Sequence, residues 1–543
     1  MRVLIFHGYL LRGTGSNVYN ARLAEALLRA GHEVHLLCQD RDPQAYAFVD
    51  AAGDWDDGTL TVSAWREPVR CTVYRPNIGS LLPVYVADRY DQLEARTYQQ
   101  CSDAEIAGYV AANVAAVAEV SSLRTPHVAL ANHLVMGPLI VARALAGRDV
   151  PYAAKIHGSA LHYTVRADPE RFLDAAREGL AGARAVLVGS RFIAASLWEA
   201  LADPELPART RLGPPGVDTV RFAPRDPEQA RAGLHGLARA VSAHAAAAPG
   251  GPRDDAERDG PADAFARDEG AAGAALAGLH TPNDRLVAYV GKLIVSKGVD
   301  LLVAAWPLVL ASTPDARLVV VGFGSFREPL EQLLGALAAG DLLGARALAV
   351  HARTLEADAA EDDDPAPPSD APPPLHHLLA FLDGLTGARR DRYLLAALRL
   401  PERVVFTGRL EHEELAELLP ACEAVVVPST FPEAFGMVAV EAAACGSLPI
   451  SAGHSGLAEV SAQLALDVPE PAVDLLSFSL DDDVVEAIAD RVARWLEAPV
   501  QLRSATRAAL VQTARRRYSW DGVARGVLAG ACGRLEELTA ISA

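Results

Sequence analysis

The chain has 543 residues, half of them hydrophobic, and a formal net charge of −19. That length suits two or three domains with sizeable cores. The acidic balance excludes a nucleic-acid binder that relies on a basic footprint, and it disfavours tight docking on an acidic bilayer. A phosphate-bearing small molecule is compatible with it, because such a site needs only a few local cations.

Six cysteines (Cys38, Cys71, Cys101, Cys422, Cys445 and Cys532) are scattered without a CxxC pair, so they read as reduced, mostly buried thiols. The opening run from Met1 to Gly8 is too brief for a signal peptide and fits a first buried strand. No uninterrupted apolar stretch long enough to cross a bilayer is expected. The expected address is the cytoplasm, which leaves room for peripheral attachment to a membrane.

In chain order, Val3 to Phe6 reads as a strand, and Asn17 to Ala30 as a helix stopped by Gly31. Further strands are expected at Glu33 to Cys38, His127 to Ala131, Tyr152 to His157 and Ala185 to Gly189, with Ser190 as the cap of a following helix. The alternation restarts near residue 285 with Leu286 to Lys292, Arg317 to Gly322, Arg403 to Gly408, Ala424 to Ser429 and Leu448 to Ala452. Strand–helix alternation of this kind builds parallel sheets covered on both faces. The fold class is therefore α/β, with two doubly wound Rossmann-like domains at 1–222 and 285–482. A stretch at 223–284 reads as an insertion or linker, partly disordered, and an acidic, proline-rich insertion occupies about 340–399. The centres 246–255 and 356–374 cannot bury enough apolar surface to offset ordering, so both insertions are expected to have flexible middles. Residues 483–543 read as helices with room to cross back onto the first domain.

The most informative segment is Pro428-Ser-Thr-Phe-Pro-Glu-Ala-Phe-Gly-Met-Val-Ala-Val-Glu-Ala-Ala-Ala-Cys-Gly446. A buried strand precedes it, and it turns at Pro432 and Gly436 into a helical pattern. A glycine turn that opens a helix presents backbone N–H groups and the positive end of the helix dipole, a natural seat for a diphosphate. Glu433 in the loop and Glu441 in the helix can accept hydrogen bonds from sugar or ribose hydroxyls.

This segment resembles the retaining glycosyltransferases of the two-domain GT-B fold, the group often called family 4. Their hallmark is two glutamates with seven residues between them and Phe-Gly inside, as in Glu433, Phe435-Gly436 and Glu441. The resemblance implies two Rossmann-like domains facing a central cleft, the second of which binds the nucleotide sugar. It implies that Glu433 contacts the donor sugar, that Glu441 holds the ribose, and that Phe435, Gly436 and Met437 line the sugar and phosphate.

Five more segments match in order. Val290-Gly-Lys-Leu-Ile-Val-Ser-Lys-Gly298 offers Lys292 and Lys297 to the leaving diphosphate, whose charge grows as the glycosidic bond breaks. The family usually has arginine where Lys292 stands, and lysine keeps the charge without the planar fork. Gly13-Thr-Gly-Ser-Asn-Val-Tyr19 resembles the family's first glycine-rich loop, which assigns Gly13, Gly15 and Asn17 to the donor: the small residues allow close backbone approach to its phosphates, and Asn17 stands near the reacting centre. Lys155-Ile-His-Gly158 ends a strand, and His157 matches a histidine beside the donor sugar. Phe406-Thr-Gly-Arg-Leu410 resembles the loop that reads the base, which assigns Gly408 and Arg409 to the nucleotide. Gly213-Pro-Pro-Gly-Val-Asp218, followed by Phe222, resembles the segment that closes the first domain.

The resulting expectation is a retaining transferase that moves a sugar from a UDP- or GDP-sugar to an acceptor hydroxyl. It needs no metal and no cofactor beyond the donor substrate, and the acceptor is a small molecule, a lipid carrier or a glycan. Competing readings are a sugar phosphorylase or nucleotide-sugar hydrolase, and an inactive sugar-nucleotide-binding or partner protein. An NAD-dependent dehydrogenase is disfavoured because Gly322-Phe-Gly-Ser325 lacks a third glycine at the required spacing and reads as a plain strand-to-helix turn. Asp362-Asp-Asp364 lies in the acidic insertion and is discounted as a metal loop.

Overall fold

The computed structural model describes residues 1–85, 93–247, 268–279, 284–360 and 373–541. The chain forms two compact units. One comprises Met1–Gly216 with Tyr518–Ala543, the other Val217–Arg517.

The first unit contains a sheet of nine strands: β1 (Arg2–Phe6), β2 (Glu33–Leu37), β3 (Ala51–Asp56), β4 (Thr59–Ala64), β5 (Cys71–Arg75), and, after a separate parallel pair β6 (Leu81–Val84) and β7 (Glu94–Thr97), β8 (Val128–Asn132), β9 (Tyr152–Ile156), β10 (Ala185–Val188) and β11 (Thr210–Leu212). The spatial order is β11-β10-β9-β8-β1-β2-β5-β3-β4. All neighbours run parallel except β3 and β4. The chain moves from β1 to β2 on one side and later returns to place β8 on the other. In an open α/β sheet that switch point, at the carboxyl ends of the strands, is where ligands bind.

The helix Gly15–Arg29 covers this sheet with Tyr19, Leu23 and Leu27, four residues apart on one face and all buried. Burial of each contributes roughly 1.5–3 kcal/mol. Trp520 of the helix Trp520–Ala531 packs edge-on to Tyr19 at 5.5 Å, and Ala524, Val527 and Leu528 join the same core. This last helix therefore belongs to the first unit, whereas the helices Val484–Glu497 and Val500–Arg517 stay with the second.

The hairpin of β3 and β4 turns at Asp57 and Gly58, with φ of +47° and +77°. Two left-handed residues of this type make the tight turn that matches strand twist. The helix Asp103–Arg124 is long and apolar enough to cross a membrane by length and composition, with a mean hydropathy of 1.4, a feature absent from the sequence expectation. Its first turn carries the acidic Asp103 and Glu105, Glu105 forms a capping box with Ser102, and Tyr109, Val117 and Val120 are buried within the unit. Those features suit a helix that covers a sheet.

The second unit holds a six-stranded parallel sheet: β12 (Arg285–Val290), β13 (Ala316–Val321), β14 (Val404–Gly408), β15 (Cys422–Val427), β16 (Leu448–Ala452) and the short β17 (Ser477–Phe478). The order is β14-β13-β12-β15-β16-β17. The stretch expected as a linker after residue 223 forms the helices Pro227–Ala247 and Glu269–Ala277, which pack on each other and on this unit. Its centre, 248–267, lies outside the described residues. The second insertion forms the helices Leu342–Ala360, His376–Asp383 and Gly387–Ala397, and 361–372 lies outside the described residues. Tyr393 anchors it by donating a hydrogen bond of 2.9 Å to the carbonyl of Ala304. All six cysteines are free thiols; five are buried, and Cys532 is exposed.

Candidate functional site

In the second unit, two loops leave the carboxyl ends of the adjacent strands β12 and β15 and interlock. The amides of Thr430 and Phe431 donate to the carbonyl of Ser296 at 2.9 and 3.2 Å. Gly298 has φ +65°, and a Cβ there would lie 2.1 Å from the carbonyl oxygen of Pro428. Only glycine allows this approach without a backbone shift. The interlock sets Lys297 against Glu433 in an ion pair. The Ser429 hydroxyl donates to the same Glu433 oxygen at 2.8 Å, and the Glu433 amide donates to Ser455 Oγ at 2.9 Å. Burial pushes the Glu433 carboxyl up, but the Lys297 charge and hydrogen bond, with help from Ser429 and His454, outweigh it and hold the group below the usual carboxylate range.

Four residues after Glu433 begins the helix Met437–Cys445. Its N-cap, Gly436, has φ +110°, and no side chain caps the helix. An uncapped helix start turned by a left-handed glycine offers N–H groups and a positive dipole end to an anion. Glu441 is the fifth residue of that helix, about 6 Å along its axis from Met437. Glu441 is only 4% exposed, its carboxylate bonds His412 Nε2 at 2.8 Å, and the His412 ring rests on Phe222 at 4.7 Å. Lys292 and Arg409 meet at another residue: each places its cation 5.9 Å from the ring centre of Phe323. Phe323 lies in the turn read from sequence as plain. A Cβ on Gly322 or Gly324 would fall 1.9 Å from the Gly291 carbonyl oxygen or 2.3 Å from that of Leu293. The small residues thus let this turn close against the Lys292 loop.

In the first unit, the carboxyl ends of β1, β8 and β9 carry a buried polar network. Asn132 Oδ1 accepts from His157 Nε2 at 2.8 Å and from Asn20 at 3.2 Å, while Asn132 Nδ2 donates to the carbonyl of Phe6 at 3.0 Å. His7 Nε2 bonds Asn17 Oδ1 at 2.9 Å, and His7 Nδ1 accepts from Asn20 at 3.0 Å. Because Asn132 presents its oxygen, His157 carries its proton on Nε2, and Nδ1 holds the lone pair. Burial lowers the pKa of His157 well below the ordinary value, with His133, Lys155 and His7 adding to it, so the ring is neutral. His7 is likewise pulled down to about 4, chiefly by burial. Tyr19 meets the His157 ring edge-on at 5.1 Å.

The structure therefore gathers Lys297, Glu433, Gly436, Met437 and Glu441 around one helix start, and Phe435, 8% exposed, adjoins them. Gly408, with φ +70°, ends β14 next to Arg409. Lys292 faces Phe323, and Lys297 faces Glu433. Gly13, with φ +93°, and Gly15, the first residue of its helix, flank Thr14 at the start of the same helix that supplies Asn17 to His7. The sequence reading missed His7, Asn20, Asn132, His133, His412, Ser429 and Ser455. Asn132 and His133 carried a usable signal, since both stand at the end of a buried strand. His133 is buried with φ +68°, and among the described residues neither of its ring nitrogens has a hydrogen-bond partner. Among the described residues no group of three or more His, Cys, Asp or Glu side chains is placed to hold a metal ion.

A family model for glycosyl transferases group 1 matches residues 383–517, and one for a glycosyl transferase 4-like domain matches residues 14–213. A D-inositol 3-phosphate glycosyltransferase of Segniliparus rotundus is 28% identical over 251 residues, which cover 46% of this chain and 40% of that protein. A GDP-mannose-dependent monoacylated alpha-(1-6)-phosphatidylinositol monomannoside mannosyltransferase of Corynebacterium glutamicum is 22% identical over 247 residues, covering 44% of this chain and 45% of the other. The chain thus spans less than half the length of these curated relatives. Among solved structures, sucrose-phosphate synthase from Thermosynechococcus elongatus superposes with a TM-score of 0.55 at 19% identity, over 99% of this chain and 98% of the other. An Anabaena protein solved in complex with UDP and glucose gives 0.54 at 16% identity, over 97% and 98%. These structural likenesses establish the GT-B fold. With both family models matched in order along one chain, the protein belongs to the group 1 glycosyl transferases.

Proposed function

We propose that this protein transfers a sugar from a UDP- or GDP-sugar to an acceptor hydroxyl, with retention at the anomeric carbon and without a metal ion. The observation that carries the reading is the Lys297–Glu433 pair, set by interlocked loops in front of an uncapped helix that also carries Glu441. In this reading the helix start and Lys297 receive the diphosphate, and their fixed positive charge stabilises the leaving group as it forms. Glu433 accepts hydrogen bonds from the sugar hydroxyls, and Glu441, oriented by His412, accepts them from the ribose. Arg409 and Lys292, both on Phe323, serve the nucleotide end.

To the first unit we assign the acceptor site, with the Gly13–Asn17 loop approaching the donor phosphates and His157 beside the donor sugar. The lone pair on His157 Nδ1 can accept a hydrogen bond from a hydroxyl at neutral pH, because the ring is neutral and its tautomer is fixed by Asn132. The departing phosphate takes the acceptor's proton in this scheme, so no side chain is assigned as the base.

The test has two stages. A thermal-shift screen against nucleoside diphosphates and their sugars identifies the donor by mass action. Product analysis with that donor then reads the anomeric configuration by NMR, with and without a chelator. Inversion, or turnover that requires added metal, overturns the corresponding part of the proposal; no stabilisation by any nucleotide overturns the whole.

A further inference from the structure

The second unit has a further polar cavity, of about 730 Å³, at the amino-terminal ends of β12 and β15. The candidate donor loops leave the opposite ends of these strands, so a six-residue strand, about 20 Å, separates the two places. The cavity is bounded by the Pro227 helix, the start of β12 with Arg285, the start of β15 with Glu423, and Arg507 of the helix Val500–Arg517. Its volume lies in the range that suits a small-molecule ligand.

Positive charge is in excess there. Arg507 Nη2 is 2.5 Å from Glu423 Oε2, Arg503 Nη1 is 3.8 Å from the same oxygen, and Arg285 Nη2 is 3.9 Å from it. Three guanidinium groups thus share one carboxylate. Neighbouring acids do not make up the difference. Glu417 is taken by Arg225, and Asp284 is shared between Arg317 and Arg403. Asp315 also lines the cavity, but Arg231 lines it too. Among the described residues Arg285 Nη2 and Arg507 Nε have no hydrogen-bond acceptor. Burial lowers the pKa of Arg285; Glu423 and Asp315 oppose that, and Arg503 and Arg507 add to it.

A purely structural role explains this poorly. Arg503 and Arg507 stand four apart on a helix that contains no acidic residue, and like charges at that spacing destabilise a helix. In a chain of net charge −19, such a concentration of arginines is the kind of site that an anion completes. The surplus over Glu423 is two charges, the charge of a phosphate dianion near neutral pH. Guanidinium forks match phosphate oxygens in pairs.

We propose that this cavity is a second anion site, separate from the candidate donor site, and that it takes a small molecule carrying a phosphate dianion. The proposal does not depend on the reaction assigned above.

Calorimetric titration with inorganic phosphate and with glycerol 3-phosphate tests it in four proteins: the unaltered chain, Lys297→Ala, the double variant Arg285→Gln with Arg507→Gln, and Glu423→Gln. The expected result is unchanged phosphate affinity in Lys297→Ala and a loss of about tenfold or more in the double variant, the scale of a lost charge-assisted hydrogen bond. Glu423→Gln removes the competing carboxylate, so it binds phosphate more tightly, a gain that misfolding cannot produce. If the double variant does not fold by circular dichroism, the Glu423→Gln arm decides. Tighter binding of glycerol 3-phosphate than of inorganic phosphate identifies a phosphorylated metabolite as the ligand, and equal binding identifies free phosphate. Affinity that disappears in Lys297→Ala, or that does not rise in Glu423→Gln, overturns the proposal.

Discussion

Replacing Lys297 with methionine keeps the side-chain length and removes its charge. Glu433 then retains the Ser429 hydroxyl at 2.8 Å but loses the cation that offsets its burial. Breaking a fully buried pair costs about 3–5 kcal/mol. Here the two side chains are 30% and 22% exposed, so water recovers part of the loss, and the expected cost is about 2 kcal/mol at neutral pH. The pH dependence is more diagnostic than the size. In the unaltered protein the folded-state pKa of Glu433 is depressed, because Lys297, Ser429 and His454 outweigh burial. Its contribution is complete above the unfolded-state value and is lost as pH falls through the folded-state value. Without Lys297, burial dominates and the pKa lies above the usual carboxylate range. The protonated form is then the stable one, and its contribution is lost as pH rises through the raised value. The gap between the two proteins must therefore widen from acid to neutral pH. Urea midpoints measured from about pH 4 to about pH 8 read this directly. A gap that stays constant across that range refutes the reasoning.

Other perturbations separate the parts of the site. His412→Ala removes the hydrogen bond that the structure gives the buried Glu441 carboxylate, and should cost about 2–3 kcal/mol. His412→Gln, which can still donate, should recover most of the melting temperature, and equal loss in both variants would show that the ring contact with Phe222 matters more. Gly298→Ala should lower stability by about 2–4 kcal/mol and abolish nucleoside diphosphate binding, because its Cβ cannot sit 2.1 Å from the Pro428 carbonyl oxygen. Wild-type affinity in that variant would mean that the loop interlock does not shape the site. Burial lowers the Lys155 pKa from 10.5 to about 7, so the unfolded chain binds an extra proton between those values, and stability should rise with pH across that window. Lys155→Met should flatten the slope, and an unchanged slope would mean that the hydrogen bond to the Gly213 carbonyl keeps the amine charged.

Much of this molecule was legible in the sequence because the relevant signals are local. Buried parallel strands read as short apolar runs, and the strands from Val3 to Phe6 and from Leu448 to Ala452 stand where periodicity put them. The glycine turn before Met437 and the cap at Ser190 are also local events, set by a positive φ and by a hydroxyl accepting from the Ile193 amide. The strand Thr59–Ala64 escaped notice because it is a largely exposed edge with no buried face to impose alternation, although its Asp57-Gly58 turn could have been read.

What the sequence by itself determined is the set of chemical groups and the strand ends on which they stand: two acids spaced to flank a helix start, cations in loops, and a histidine after a buried strand. Tertiary structure alone decided their partners. Lys297 meets Glu433 because the Ser296 carbonyl binds the amides of Thr430 and Phe431 from more than a hundred residues away. Lys292 turns to Phe323 and Glu441 to His412 for the same kind of reason. Side-chain pairing depends on which loops the sheet order makes adjacent, and no spacing along the chain encodes that adjacency.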